Sequence, residues 1–193
     1  MTSGYDGGNA DAVARFAFEL GVLKRTRRTG WWHVGVRDPE SVAEHSMRVS
    51  QLAALIAAEE GADPMRAAFL ALWHDSQETR TGDIPHTAKP YLTGGGVDHE
   101  AITADQVVHL PDHSAKVVRE AVTEYEAQVT TEAWCAKDAD KLECLVQAVE
   151  YRHAGYDGVQ GWIDSSRKAL RTTTAIKIAD AAVTMSPLAW RDS

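Results

Sequence analysis

Apolar residues recur at intervals of three and four along most of this chain, and this spacing restricts its possible folds more than any other feature. A period near 3.6 residues places apolar side chains on one face of an α-helix, whereas a half-buried strand needs strict alternation. Alternating stretches bounded by turn residues are scarce in the sequence. We therefore predict an all-α fold, built as a single helical bundle over residues 1–193.

The same spacing predicts eight helices. Two helix starts are marked by an acidic residue followed by proline, at residues 38–41 (DPES) and 63–64 (DP). Glycines interrupt the pattern and predict loops at Gly30, at 82–85 and at 93–96. The predicted helices span residues 9–24, 40–60, 63–80, 97–109, 112–128, 131–153, 157–171 and 173–186, so that a motif-bearing core of 9–153 precedes two C-terminal helices within 157–186.

Composition argues against a polynucleotide or a membrane as partner. The chain has 20 Lys and Arg against 28 Asp and Glu, a formal net charge of −8, whereas nucleic-acid backbones are bound by clustered cations. It has no run of eighteen apolar residues and no apolar leader segment, and its two cysteines, Cys135 and Cys144, are expected as reduced thiols. We expect a cytoplasmic protein that attracts a small anion through a local cation or a few arginines.

His45 lies on the apolar stripe of the second predicted helix. Val42, His45, Val49, Leu52 and Ile56 follow one another at intervals of three and four, so the imidazole is expected to point into the core. Taken alone, such a residue is also typical of a core histidine with one hydrogen-bond partner.

The third predicted helix ends in a cluster of ionisable residues. His74 and Glu78 are one turn apart on one face, and Asp75 is rotated by about 100° from His74, so the adjacent pair can hold one cation from neighbouring directions. An isolated cluster of this kind is also typical of a solvated helix C-terminus.

Two aspartates occur in the sixth predicted helix. Asp140 lies beside the apolar stripe, while Asp138 is expected to project away from it, with Lys137 and Lys141 as solvated neighbours. A surface ladder of salt bridges is the alternative.

Together, His45, His74, Asp75 and Asp140 form a set of two histidines and two aspartates, which is far more specific than any member alone. Mixed imidazole and carboxylate ligands suit a borderline divalent ion such as Mn, Fe, Co, Ni or Zn, with positions left for water and substrate. We predict one bound divalent cation, with Mg also among the candidates.

Five ordered segments resemble the HD-domain phosphohydrolases, and more narrowly the 5′-deoxynucleotidase branch, which includes a bacterial enzyme and eukaryotic HD-domain-containing relatives. The segments are LKRTRRTGW at 23–31, PESVAEHS at 39–46, HDSQE at 74–78, TGDIP at 81–85 and KDAD at 137–140. The resemblance implies an all-α HD domain, a nucleotide substrate and a homodimer.

The resemblance also implies roles for individual residues. The metal ligands would be His45, His74, Asp75 and Asp140. Glu78, Arg28 and Asp83 would be catalytic, with Glu78 as the proton-transferring carboxylate and Arg28 on the substrate phosphate. Substrate contacts would come from Arg28, Trp31, Asp75, Asp83, Ile84, Pro85, His86 and Asp140, with Trp31 shaping the sugar pocket. For Trp31, plain packing is the alternative.

The implied reaction is removal of the 5′-phosphate of (deoxy)nucleoside monophosphates by attack of a metal-bound water. The planar fork of Arg28 can bond two phosphate oxygens, which Lys24 as a point charge cannot. A (deoxy)nucleoside triphosphate triphosphohydrolase of the same fold is the nearest alternative, and it would release tripolyphosphate. A non-catalytic nucleotide-binding HD module is the alternative from another class. The segment at 28–31 disfavours a cyclic-nucleotide or (p)ppGpp hydrolase.

The ligand set predicts that the cation also stabilises the fold. Two carboxylates, Asp75 and Asp140, buried near each other without a cation cost several kcal/mol or force protonation. Stripping the metal is expected to lower both the melting temperature and the activity. An unchanged melting temperature after verified metal removal would contradict this site.

Overall fold

The regular structure of the chain is helical. A computed structural model describes residues 7–92 and 96–191, and within these ranges no strand forms. The predicted all-α fold is therefore confirmed. The α-helices are α1 (Gly7–Leu20), α2 (Val42–Glu60), α3 (Pro64–Trp73), α4 (Glu78–Thr81), α5 (His99–Gln106), α6 (Asp112–Ala127), α7 (Thr131–His153), α8 (Gln160–Ala169) and α9 (Thr173–Thr184). Short 3-10 helices span Gly21–Lys24, Thr29–Val34, His86–Tyr91, Asp157–Val159 and Ala189–Arg191.

The two marked helix starts are confirmed. Ser41 caps α2 in a capping box, since its hydroxyl accepts from the Glu44 backbone N–H and the Glu44 carboxylate accepts from the Ser41 N–H at 2.6 Å. Asp63 caps α3 by accepting from the Met65 N–H at 2.9 Å, with Pro64 in the first turn. These caps fix where α2 and α3 leave the preceding loops.

The predicted C-terminal end of the third helix is wrong. Instead of continuing to residue 80, α3 stops at Trp73, and residues 74–77 form turns before α4. The backbone tightens to i→i+3 bonds, with the Ser76 N–H donating to Trp73 O at 3.2 Å and the Glu78 N–H donating to Asp75 O at 3.0 Å. The first predicted helix likewise becomes 3-10 after Leu20. Continuous apolar spacing did not reveal either change.

The loops agree with the prediction where they are described. Residues 82–85 are irregular, and Gly82 has the positive φ of 70° that its turn requires. Thr93 to Gly95 of the predicted glycine-rich loop lie outside the described residues. A search of the described helices finds none that combines the length and the apolar character needed to cross a membrane.

The core surrounds α7, which packs against α2, α3, α6, α8 and α9. Its fully buried side chains include Val49 and Ile56 of α2, Leu70 of α3, and Leu142 and Leu145 of α7. Because α7 is enclosed by apolar neighbours on several faces, its polar residues are held at fixed positions.

Asp138 corrects the sequence prediction that this residue projects away from the core. It is 1% exposed, and its carboxylate accepts from the backbone N–H groups of Arg171 and Thr172 and from the Thr172 hydroxyl, the last at 2.7 Å. Thr172 in turn caps α9. Asp138 thus joins α7 to the start of α9. Its burial was not predicted, because α8 and α9 cover a face of α7 that would otherwise meet solvent.

We expect Asp138→Asn to lower the free energy of unfolding by about 1–3 kcal/mol, because an amide group cannot accept all of these hydrogen bonds. Urea denaturation followed by circular dichroism measures the change. The matched control is Asp164→Asn, an exposed residue of α8, which should leave stability nearly unchanged. Equal stability of the two variants would contradict the anchoring role.

Candidate metal centre and active site

The structure brings together the four predicted metal ligands. His45 comes from α2, His74 from the end of α3, Asp75 from the following turn and Asp140 from α7. His45 Nε2 lies 3.5 Å from Asp140 Oδ1 and 3.6 Å from Asp75 Oδ2, and His74 Nε2 lies 3.0 Å from Asp75 Oδ2. His45, His74 and Asp140 offer ligand atoms within 4.8 Å of one another.

Two imidazole nitrogens support a cation among these residues. The Nε2 atoms of His45 and His74 are buried, and neither has a hydrogen-bond partner among the described residues. Buried polar atoms without partners are rare in folded proteins. His74 Nδ1 donates to Ala71 O at 2.7 Å, a tautomer that leaves a lone pair on Nε2. Two imidazoles and two carboxylates therefore fit a borderline divalent ion.

Both aspartates are held as anions. Burial raises the pKa of Asp140, but the Lys141 ammonium at 2.9 Å, with the two histidines when they are protonated, outweighs burial and keeps this pKa well below its usual range. Burial likewise opposes ionisation of Asp75, and a protonated His74 together with the Arg28 guanidinium outweighs it and lowers the Asp75 pKa. A deprotonated carboxylate is the form that a cation needs.

Arg28 reaches the cluster from an extended segment. Its backbone N–H donates to Glu40 O at 3.0 Å, beside an isolated bridge between Arg27 and Ser41. Its guanidinium lies 3.4 Å from Asp75 Oδ2 and donates at 3.2 Å to Asp83 Oδ1. The Arg28 side chain is thereby directed at Asp75, one of the predicted metal ligands.

Asp83 fixes the segment that carries Arg28. Its Oδ2 atom accepts from the Thr29 N–H at 2.6 Å and from the Thr29 hydroxyl at 2.7 Å. Beyond it, Ile84 and Pro85 are half-buried and His86 is exposed at the start of the 3-10 helix His86–Tyr91. The predicted nucleoside loop thus lies next to the arginine.

Glu78 is positioned by α4 beside these acids. Its Oε2 atom is buried and has no hydrogen-bond partner among the described residues. Burial raises the Glu78 pKa to about 10, and the charges of Asp75 and Asp83 act in the same direction. A carboxyl group in this setting keeps its proton near neutral pH and can donate it.

Trp31 occupies a position that favours the packing alternative. The residue is 2% exposed. Its ring packs edge-on against Tyr151, with 5.1 Å between centroids, and stacks on Trp162, with 5.6 Å between centroids. Its Nε1 donates to Glu40 Oε1 at 3.1 Å. These contacts cover the indole that was expected to shape a sugar pocket, whereas the neighbouring Trp32 is 52% exposed.

The sequence did not predict the contacts that two charged residues make near the cluster. Lys141, expected as a solvated neighbour, lies against Asp140. Glu143 is fully buried, and its Oε2 atom lies 2.5 Å from His45 Nδ1. The i to i+3 spacing of Asp140 and Glu143, which places both on one helix face, is the signal that could have identified Glu143.

Comparisons with known proteins agree with this geometry. The family model of the HD domain matches residues 20–179. The chain belongs to the HD domain family. Its relatives include the human 5′-deoxynucleotidase HDDC2, 35% identical over 149 residues that cover 76% of this chain and 72% of that protein. The 5′-deoxynucleotidase hdd1 of Schizosaccharomyces pombe is 33% identical, with 72% of each chain covered.

A conserved hypothetical protein from Pyrococcus furiosus has a similar structure, with a TM-score of 0.71, 28% identity and coverage of 89% of this chain and 99% of that one. The predicted resemblance is confirmed.

Replacing each of the two aspartates of α7 by asparagine in turn separates an effect on metal binding from an effect on stability. We expect Asp140→Asn to weaken binding of Mn²⁺ or Co²⁺ by more than about tenfold, because a charged ligand becomes a neutral amide. Asp138→Asn, two residues away, should retain the cation affinity of the unchanged protein. Isothermal titration of metal-stripped protein measures both, and equal affinities of the two variants would contradict the assignment of Asp140.

Proposed function

We propose that this HD-domain protein is a divalent-metal-dependent phosphomonoester hydrolase that removes the 5′-phosphate of (deoxy)nucleoside monophosphates. The observation that carries the proposal is the pair of buried Nε2 atoms of His45 and His74, which have no hydrogen-bond partner in the described part of the chain. These atoms face Asp75 and Asp140, with Arg28 alongside. The relatives named 5′-deoxynucleotidase supply the substrate class. We infer that these four residues are the ligands of one cation.

A divalent cation at this site would supply a nucleophile at neutral pH and neutralise charge that grows on the phosphoryl oxygens. Arg28 would hold the phosphate, because its planar guanidinium can donate two parallel hydrogen bonds to two oxygens. Asp83 would keep Arg28 in place, since it bonds both the guanidinium and Thr29 of the same segment.

Glu78 would move the proton. Hydrolysis of a phosphomonoester breaks the bond between phosphorus and the 5′-oxygen, and the leaving oxygen needs a proton. Glu78 follows the predicted ligand Asp75, whose backbone O accepts from the Glu78 N–H at 3.0 Å, and burial raises the pKa of its carboxyl group. In its protonated form it can donate that proton and recover one from the attacking water. General acid catalysis of this kind contributes a factor of about 10²–10⁴ to the rate.

We also propose that the motif-bearing core and the C-terminal helices form one domain. Two observations support this: Asp138 of α7 bonds the residues that begin α9, and Ile163, Ala175 and Ala179 join the same core cluster as Leu142. The homodimer and the cytoplasmic location stay predictions from the sequence.

Phosphate release from a panel of ribo- and deoxynucleoside mono-, di- and triphosphates tests the function, with metal-stripped protein resupplied with Mn, Co, Mg or Zn. We expect orthophosphate from deoxynucleoside monophosphates. Tripolyphosphate from triphosphates would replace the proposal by a triphosphohydrolase. The absence of product with every metal would leave a non-catalytic nucleotide-binding module.

The variant Glu78→Gln is expected to lower kcat by about 10²–10⁴ with little change in cation affinity, because it removes the transferable proton and keeps the side-chain volume. Single-turnover kinetics at saturating nucleotide measures the chemical step. The control is Glu120→Gln, an exposed residue of α6, which should retain full activity. Full activity of Glu78→Gln would remove Glu78 from the mechanism.

A further inference from the structure

His45 is held from two sides by one helix. Asp140 of α7 lies in front of its Nε2 atom at 3.5 Å, and Glu143, one turn later on α7, lies 2.5 Å from its Nδ1 atom. A carboxylate only accepts hydrogen bonds, so Nδ1 carries the hydrogen of this contact. His74 differs, because its Nδ1 donates to a neutral carbonyl, that of Ala71.

Glu143 is itself held by a second charge. It is 0% exposed, and a buried carboxylate is costly unless it is paired. Arg48 of α2 donates to Glu143 Oε1 from Nε at 3.0 Å and from Nη2 at 2.7 Å. One carboxylate oxygen therefore faces His45, and the other faces Arg48.

Arg48 is fixed in turn along α7. Its Nη1 atom donates to both carboxylate oxygens of Glu150, at 2.8 and 3.0 Å, and its Nη2 atom donates to Gln147 Oε1 at 2.7 Å. Glu143, Gln147 and Glu150 follow one another at i, i+4 and i+7, so one helix face grips the guanidinium. The chain of contacts runs from the surface at Glu150 to the buried imidazole.

We propose that Glu143 is a positioning residue for the cation, and that Arg48 holds Glu143 in that position. This inference rests on the proposed function, because it concerns the same His45. By accepting from Nδ1–H, Glu143 fixes the ring orientation and directs the Nε2 lone pair at Asp75 and Asp140. A charged acceptor also makes the imidazole a better donor to a metal than a neutral one does. Glu143 is not itself a ligand here, because its oxygens are engaged on the far side of the ring.

The variant Glu143→Gln tests the proposal. Its amide has similar size but no charge, so we expect the affinity for Co²⁺, measured by competition with a chromophoric chelator, to fall about 10–100-fold. The visible absorption of the bound Co²⁺ should shift as well, since it reports on the field of the ligands. The control is Glu120→Gln, an exposed residue of α6 outside these contacts, which should change the affinity less than about fivefold.

The outcomes separate this inference from the proposed function. If the unchanged protein binds no divalent cation, the metal site and the inference both fail. If the unchanged protein binds Co²⁺ and Glu143→Gln binds it equally well with the same spectrum, only the positioning role fails. Circular dichroism of the metal-free variants reports whether the fold survives.

A measurement on the unchanged protein decides the matter if Glu143→Gln does not fold. A short hydrogen bond from imidazole to carboxylate shifts the ring N–H proton strongly downfield in NMR spectra. We expect such a proton on His45 Nδ1 and none of comparable shift on His74 Nδ1. The absence of the downfield proton from His45 would overturn the proposal.

Discussion

The rest of the structure depends on one interaction between α2 and α7, in which the imidazole of His45 is buried against the carboxylates of Asp140 and Glu143. Asp140 and Glu143 are both nearly or fully buried, and each burial is unfavourable unless a positive partner is present. Lys141 faces Asp140 and Arg48 faces Glu143, and His45 lies between the two acids. The apolar packing of α7 supplies the rigidity that these charge pairs need, because a mobile helix would let water separate them.

The turn after α3 places two residues of the candidate site. In the turns at 74–77, Asp75 Oδ2 lies within 3.6 Å of the Nε2 atoms of both His45 and His74. The same turns end α3 and lead into α4, which begins at Glu78. The predicted metal ligand Asp75 and the proposed proton donor Glu78 are therefore placed by one change of backbone.

Helical spacing was sufficient to predict residues whose direction depends on their own helix alone. His45 and Asp140 belong to this group, as do the capped starts of α2 and α3. Asp138 and Trp31 do not, because their burial depends on distant segments: α8 and α9 cover Asp138, and Tyr151 and Trp162 cover Trp31. The end of α3 was missed for a related reason, since tertiary contacts of the ionisable residues override a continuous apolar pattern. The sequence therefore predicts the fold class and a candidate ligand set whose members the structure places together, and it leaves open how each of these residues is supported.

The hydrogen bonds to Nδ1 distinguish the two histidines, both of which the sequence predicts as metal ligands. His74 is oriented by the carbonyl of Ala71, three residues earlier in the chain, which is a local contact. His45 is oriented by Glu143 of α7, a contact that exists only when α2 and α7 are packed together with Arg48 between Glu143 and Glu150. One ligand is thus set by secondary structure and the other by tertiary structure. Because the proposed cation needs both histidines, we expect its binding free energy to be coupled to the docking of α2 on α7, so that the charge pairs that hold this interface would also prepare the site.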